Sequence, residues 1–230
     1  MSQTTLFSLQ AAITSPLAAH EPPHDCPHCP RLVALRQALR VEHPGWWNAP
    51  VPAFGDANAW LAIVGLAPGK HGANRTGRPF TGDFAGDLLF ATLAKFGLSD
   101  GQYRADAADG VTLNGAIILN AVKCLPPENK PLPEEVRACA PYFEAQRKAV
   151  PTLRVYLALG QIAHIAAVRA FGGRQVDYKF AHGAQHILPG GMTLIDSYHC
   201  SRYNQNTGRL TQAMFDAVFI KAIALSQAAQ

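Results

Sequence analysis

Cys26 and Cys29 are separated by two residues in HDCPHCPRL, a spacing that lets two thiolates leave one tight turn toward a single metal centre. Cys124 and Cys139 flank a Pro-rich stretch, LPPENKPLP, and would complete a set of four. Four thiolates suit zinc or an iron–sulfur cluster; the alternative is four unrelated thiols. Cys200 lies in another motif and is left out of the set. Five cysteines, an odd number, argue against a disulfide framework.

The stretch from Gly65 to Gly86, GLAPGKHGANRTGRPFTGDFAG, is crowded with Gly, His, Asn, Arg, Thr and Asp between two apolar segments. A polar connection of about twenty residues is longer than usual, and such loops are generally functional or disordered; this composition argues for function. Gly65, Gly69 and Lys70 come near the phosphate-binding pattern G-x4-G-K-[ST]. The spacing is one residue short, and His71 stands where Ser or Thr should hold magnesium, so nucleotide hydrolysis is set aside. What remains is a loop able to bring main-chain N–H groups close to an anion, equipped with His71, Asn74, Thr81 and Asp83.

Asp83 is the only carboxylate between Asp56 and Asp87. It reads as a helix N-cap, as a salt-bridge partner of Arg75 or Arg78, or as a general base. Phe80 is a core residue or a flat platform for a planar ligand. Asn120 is the one polar residue in the apolar run AIILNAV, and a buried amide offers the donor and acceptor needed to read a nucleobase edge. His199, Ser201 and Arg202 sit in HCSRYNQNTGR, a polar run with two arginines ahead of a helix, suited to phosphate contact.

Elements must hold these residues together. Leu32, Leu35 and Leu39 recur at helical spacing after the first cysteine pair. Continuous apolar runs at Ala59–Leu66, Ala116–Val122 and Leu153–Leu159 predict buried parallel strands, and His186–Leu188 with Met192–Ile195 predicts a fourth strand or a hairpin. Helices are expected at Asp87–Phe96, at Pro133–Val150, from Gly160 to near Phe171, and at Thr211–Ala228. Trp46 and Trp47 are expected to be packing residues. Alternating strands and helices imply an α/β sandwich whose ligand site lies beyond the strand C-termini. The loops after Gly65, Asn120 and Asp196 should therefore meet at one rim.

Length and composition agree with a single domain. With 230 residues, 48% apolar and 16% charged, the chain can bury a sizeable core and is neither disordered nor rich in membrane-length apolar runs. Residues 1–23 read as a loosely packed extension without a signal-peptide pattern. The protein is expected to be cytoplasmic. A net charge of +4 permits a polyanionic partner without requiring one.

The motifs together resemble the uracil-DNA glycosylase superfamily, and within it the iron–sulfur branches, families 4 and 5. GLAPGKHGANRTGRPFTGD is similar to the first motif of family 5, also called type B; NAVKCLPPENK to its middle segment; HCSRYNQNTGR to its last. Family 4 carries an acidic residue in GEAPG where this chain has Leu66, and most other branches place Asp or Asn where it has Ala67. Cys200 departs from the Pro usual at its position, which bears on the rigidity of that loop.

The resemblance, spanning about residues 24–226, implies an α/β fold: a three-layer α/β/α sandwich around a central, mainly parallel four-stranded sheet. It implies a monofunctional DNA glycosylase of base-excision repair that flips uracil, and other deaminated or damaged bases such as hypoxanthine, xanthine or etheno-cytosine, into a pocket and leaves an abasic site. Asp83, Asn120 and His199 would be catalytic. Gly65, Leu66, Ala67, His71, Asn74, Phe80 and Asn120 would bind the base, and Arg75, Lys130, Ser201 and Arg202 the DNA. Cys26, Cys29, Cys124 and Cys139 would hold a [4Fe–4S] cluster. The implied partner is double-stranded DNA, with single-stranded DNA left open, and the protein would act as a monomer without a membrane. Two rivals are a non-catalytic iron–sulfur lesion-binding module and a zinc nucleobase deaminase; the latter lacks the His-x-Glu motif its chemistry needs.

Overall fold

The computed structural model describes residue 15 and residues 17–227. In chain order its strands are β1 (Phe54–Gly55), β2 (Leu61–Gly65), β3 (Ser99–Asp100), β4 (Thr112–Leu113), β5 (Ala116–Asn120), β6 (Val155–Leu159), β7 (Gln185–Ile187) and β8 (Thr193–Ser197). Its α-helices are α1 (Pro30–Glu42), α2 (Ala73–Thr76), α3 (Phe84–Lys95), α4 (Pro133–Ala149), α5 (Gln161–Ala170), α6 (Arg202–Asn206) and α7 (Gln212–Gln227).

The apolar runs become strands because both of their faces are covered. In β2, Leu61 and Ile63 pack with α3 and α7 (Leu89, Leu93, Phe215, Phe219), whereas Ala62 and Val64 pack with α4 and α5 (Phe143, Ala163, Ala167, Val168). That alternation is the period-two signature of a sheet between two helical layers. The three-layer α/β/α expectation therefore holds, with one correction. The sheet has six strands, in the order β1-β5-β2-β6-β8-β7, and not four. The four central strands are parallel; β1 and β7 pair antiparallel at the two edges. β1 is only two residues long, too short to leave an apolar signature, and β7 forms the hairpin with β8 that the sequence left as one of two options.

The N-terminal extension touches the fold at a few points: Leu17 is 2% exposed and belongs to the core beside β2 and β5, and Glu21 accepts a hydrogen bond from the Ala53 N–H at 2.8 Å, while Ala18, Ala19, His20 and Pro23 are exposed. Residues 1–14 and 16 lie outside the described residues. The helix ends sit within a few residues of expectation, the largest difference being α3, which starts at Phe84 because Asp83 caps it.

Parallel strands bring their C-termini to one rim. Gly65 ends β2 and pairs in register with Asn120, which ends β5; Leu159 ends β6 opposite Ser197, which ends β8. The pairing runs on past the strands, as the N–H groups of Ala121 and Val122 donate to the carbonyls of Gly65 and Leu66 at 2.9 Å each. No helix among the described residues is long and apolar enough to cross a membrane.

Candidate active site

Glycine makes the centre of the site. A Cβ on Gly65 would stand 2.3 Å from Asn120 Oδ1 and 2.9 Å from the Phe80 ring, so only glycine at the end of β2 lets the amide and the aromatic ring share one space. The Phe80 ring in turn stacks with His199, with centroids 6.2 Å apart and planes at 28°. Asn120 is 3% exposed, and its Oδ1 is buried without a hydrogen-bond partner. A buried unpaired acceptor costs about 1–3 kcal/mol, which is repaid when a donor arrives.

Asp83 lies toward the far end of the same loop, folded back against Gly69 and Gly72, and its two oxygens have separate surroundings. Oδ1 accepts from the Gly86 N–H at 3.1 Å, the N-cap of α3. Oδ2 lies where side chains would otherwise be: a Cβ on Gly72 would approach it to 2.4 Å and one on Gly69 to 3.2 Å. The N-cap and general-base readings are therefore compatible, one oxygen for each. Burial holds the carboxyl above the usual carboxylate range, against the lowering effect of the Gly86 and Ala85 amides. His199 has the complementary shift, since burial pushes its imidazole down to about 4. At neutral pH the ring is uncharged.

The turn carrying His199 is tied from behind. Asn204 Nδ2 donates to the His199 carbonyl at 2.8 Å, and Gln205 Nε2 to the Cys200 carbonyl at 2.7 Å. Cys200 itself is fully buried. Two side-chain amides from α6 thus supply restraint at the place where the related motif has Pro. Ser201 is the N-cap of α6, its Oγ accepting from the Asn204 N–H at 3.3 Å. Ahead of the turn, Asp196 is buried between two histidines, 2.7 Å from His164 Nδ1 and 3.1 Å from His186 Nε2. Because His164 Nε2 faces the Tyr178 carbonyl at 3.0 Å, both its ring nitrogens are placed as donors. Burial opposes the charged ring, but the Asp196 carboxylate raises its pKa, and the pair pins α5 to β8.

Not every expected residue joins this centre. Asn74, expected at the base, has other partners in this structure: its amide nitrogen donates to Asn48 Oδ1 at 2.9 Å, and it lines a small cavity with Arg36, Leu39 and Cys124. It joins the loop to the Trp46–Trp47 segment, whose Trp47 packs under Gly77 and donates to the Pro50 carbonyl, a packing role as expected. His71 is exposed, its ring edge-on to Trp46 at 5.5 Å, and its carbonyl accepts from Arg75 Nε at 2.8 Å. Leu66 contributes its carbonyl to the pairing with Val122, and Ala67 packs against Leu32, Val122, Cys124 and Cys139. Arg75, Arg202 and Lys130 are all exposed. Arg202 lies 4.9 Å over the Phe84 ring beside Asp83, while Lys130 stands on the cysteine loop with its ammonium 3.3 Å from Glu128. Tyr203, next to Arg202, is 70% exposed; an aromatic in a polar run gives no signal of its exposure.

The cysteines do come together. Cys26, Cys29, Cys124 and Cys139 line one small pocket with Arg36, Lys123 and Tyr142. Among the described residues, only His164, His186 and Asp196 gather three His, Cys or carboxylate ligand atoms within 4.8 Å of one another, so the four sulfurs are spread more widely than one ion would hold them. Burial pushes the Cys29 thiol up to about 11 and the Cys124 thiol up to about 12. Arg36 is buried, with Nη1 3.7 Å from Cys124 Sγ and Nε without a partner, and Lys123 is buried beside it. Two basic side chains next to four thiols suit the net negative charge that four thiolates around a bound cluster would carry, and the donor set fits one.

A parallel sheet with a polar site at its carboxyl rim and a four-cysteine pocket beside it defines a class, and the comparisons place the chain in it. The family model for the "Uracil DNA glycosylase superfamily" matches residues 52–222, and the chain belongs to that superfamily. Within it the chain falls in the type-5 branch. It is 48% identical over 204 residues to the type-5 uracil-DNA glycosylase of Thermus thermophilus, covering 86% of this chain and 92% of that one. It is 41% identical over 204 residues to the type-5 enzyme of Pyrobaculum aerophilum, covering 87% and 88%. A type-4 uracil-DNA glycosylase of Archaeoglobus fulgidus is 38% identical over 114 residues, covering 49% of each chain.

Proposed function

We propose that this protein hydrolyses the N-glycosidic bond between deoxyribose and uracil in DNA, and that it accepts other deaminated or damaged bases. The observation that supports this reading is the grouping of Asn120, Phe80 and His199 at Gly65, with Asp83 on the same loop against Gly72 and with Asn120 Oδ1 buried and unpaired. The target nucleotide leaves the stack at a cost of a few kcal/mol, and its base enters beside Phe80. Asn120 satisfies its own vacant acceptor on the base's N–H edge, a contact that a base without a donor there cannot make. His199, neutral at working pH, donates to the oxygen on which negative charge builds as the base departs. Asp83 Oδ2 orients a water or stabilises the cationic sugar, as carboxylates do when glycosides are cleaved through oxocarbenium-like states.

Ala67, two residues past Gly65, offers no polar group to an incoming base, so fewer base edges are refused, which supports a range including hypoxanthine, xanthine and etheno-cytosine. Arg75, Ser201 and Arg202 stand on the same loops and suit phosphate contacts; Lys130, on the cysteine loop, would touch DNA further along. Binding is then salt-dependent. Cys26, Cys29, Cys124 and Cys139 would hold a [4Fe–4S] cluster, whose four thiolate bonds cross-link α1, α4 and the segment after β5; bond hydrolysis asks no electron of it. The protein would work as a cytoplasmic monomer on duplex DNA, with single strands a further substrate.

The test is single-turnover excision on duplexes carrying uracil, hypoxanthine, xanthine, etheno-cytosine, or thymine opposite guanine. Abasic product from uracil and at least one other base is the expected outcome. Tight, lesion-selective binding without any abasic product would instead establish a non-catalytic binding module.

A further inference from the structure

Phe80 is a non-glycine residue at φ +52°, and it is 7% exposed. A left-handed conformation at a bulky aromatic is unfavourable and persists only where its surroundings enforce it. The surroundings here come from a segment to which neither the sequence nor the proposed reaction gives a role, residues 103–111. The Tyr103 hydroxyl donates to the Phe80 carbonyl at 3.2 Å and accepts from the Gly82 N–H at 3.2 Å, so one oxygen bridges the peptide groups on either side of the turn. Gly86 leaves room for this bridge: a Cβ there would stand 1.9 Å from the Phe80 carbonyl oxygen and 2.5 Å from the Tyr103 hydroxyl.

The other side of Phe80 is fixed by a buried ion pair. Arg78 reaches both oxygens of Asp109, at 2.6 and 2.8 Å, and its Nε donates to Thr81 Oγ1 at 2.7 Å. Asp109 also accepts from the Arg104 and Val111 amides at 3.0 Å each. Arg78 lies against the Tyr103 ring, 5.9 Å to its centroid, and that ring stacks on Phe90 at 4.4 Å. The residues before and after Phe80 are therefore both tied to one distant segment, while the Phe80 ring faces His199 and Asn120.

We propose that Tyr103, with Asp109 acting through Arg78, is a positioning residue for base excision: it holds Phe80 in its left-handed conformation so that the ring lies parallel to His199 as the platform for the flipped base. This rests on the reading that Phe80 stacks on the base. The bridge acts on the bound base and not on the grip of the protein on DNA.

The experiment compares Tyr103→Phe, which keeps the stacked ring and removes only the bridging oxygen, with Phe80→Ala and with the double variant. Single-turnover uracil release at saturating enzyme should fall by about tenfold in Tyr103→Phe, since small misplacements of a positioned group cost that much or more. Binding to duplex DNA carrying a tetrahydrofuran abasic analogue, which has no base to stack, should change by less than about twofold on the same argument. In the Phe80→Ala background, adding Tyr103→Phe should slow release no further. Asp109→Asn, which weakens the Arg78 pair without changing its shape, should give the same pattern and serves if Tyr103→Phe does not fold. If Phe80→Ala releases uracil at the wild-type rate, the stacking reading fails. If Phe80→Ala is slow but Tyr103→Phe is not, or if Tyr103→Phe loses analogue binding as much as release, the positioning proposal fails alone.

Discussion

Asp83 carries two demands on one side chain. Its Oδ1 stabilises α3 as an N-cap, while Oδ2 remains an ionisable group whose charge is disfavoured by burial. Replacement by Asn separates the two, because Asn caps helices about as well as Asp and carries no charge. Asp83→Asn should therefore raise the melting temperature at pH 7 while lowering uracil release by about 10²- to 10⁴-fold, the range for loss of a positioned acid–base or charge-stabilising group. The sign of the pH dependence follows from the same shift. In the proposed role Asp83 works ionised, so release should fall as pH is lowered along a limb lying above the ordinary carboxylate value of 3.8, and the residual activity of Asp83→Asn should lack that limb. His199 acts on stability in the opposite region. Its folded pKa of about 4 lies below the unfolded value, so its contribution, about 3 kcal/mol, is present above pH 6.5 and is lost between there and pH 4. A melting temperature for Asp83→Asn equal to or below wild type, or an unchanged acid limb, would remove Asp83 from the role.

At the scale of elements, what the sequence showed depended on periodicity. The four parallel strands and α1, α4, α5 and α7 were legible because burial on both faces, or on one helical stripe, leaves repeating apolar positions. β1 and the β3–β4 pair are two residues each and leave no period, and the residue 103–111 clamp is built from single long-range contacts such as Arg78 to Asp109 that no local pattern encodes. Asn74 shows the same limit of local pattern. Its polar type suited a pocket, but its partner, Asn48, is 26 positions away. The His199 turn shows how an element can replace a residue type. Where Pro would stiffen the chain covalently, α6 reaches back with Asn204 and Gln205 to the His199 and Cys200 carbonyls. Asn204→Ala should cost about 1 kcal/mol of stability, the usual net value of one hydrogen bond, and slow uracil release by more than its effect on melting suggests. Adding Cys200→Pro should restore much of that rate by fixing the same backbone. Failure of the Pro variant to rescue, with folding intact, would show that the two amides do not substitute for it.

For the whole molecule, the cysteine pocket and the proposed base site are neighbours in the chain as well as in space. Cys124 follows Asn120 by four residues along the exit of β5, and Ala67, two residues beyond Gly65, packs against Cys124 and Cys139. Both strand ends that form the floor of the base site therefore lean on the cysteine pocket, while Cys26 and Cys29 reach it from the N-terminal side through α1. An occupant bonded to all four thiols would couple folding of the N-terminal segment to the geometry at Asn120. This predicts a graded response. Cys29→Ser, on the partly exposed side of the pocket, should lower the melting temperature and the visible absorbance of the purified protein while leaving uracil release, measured well below melting, within a few-fold of wild type. Cys124→Ser should lower all three, because it also frees the segment that follows Asn120. Equal loss of release in both variants at matched fractions folded would mean that the pocket acts only through global stability. A Cys26→Ser, Cys29→Ser protein that melts like the wild type would mean that the four thiols hold nothing in common.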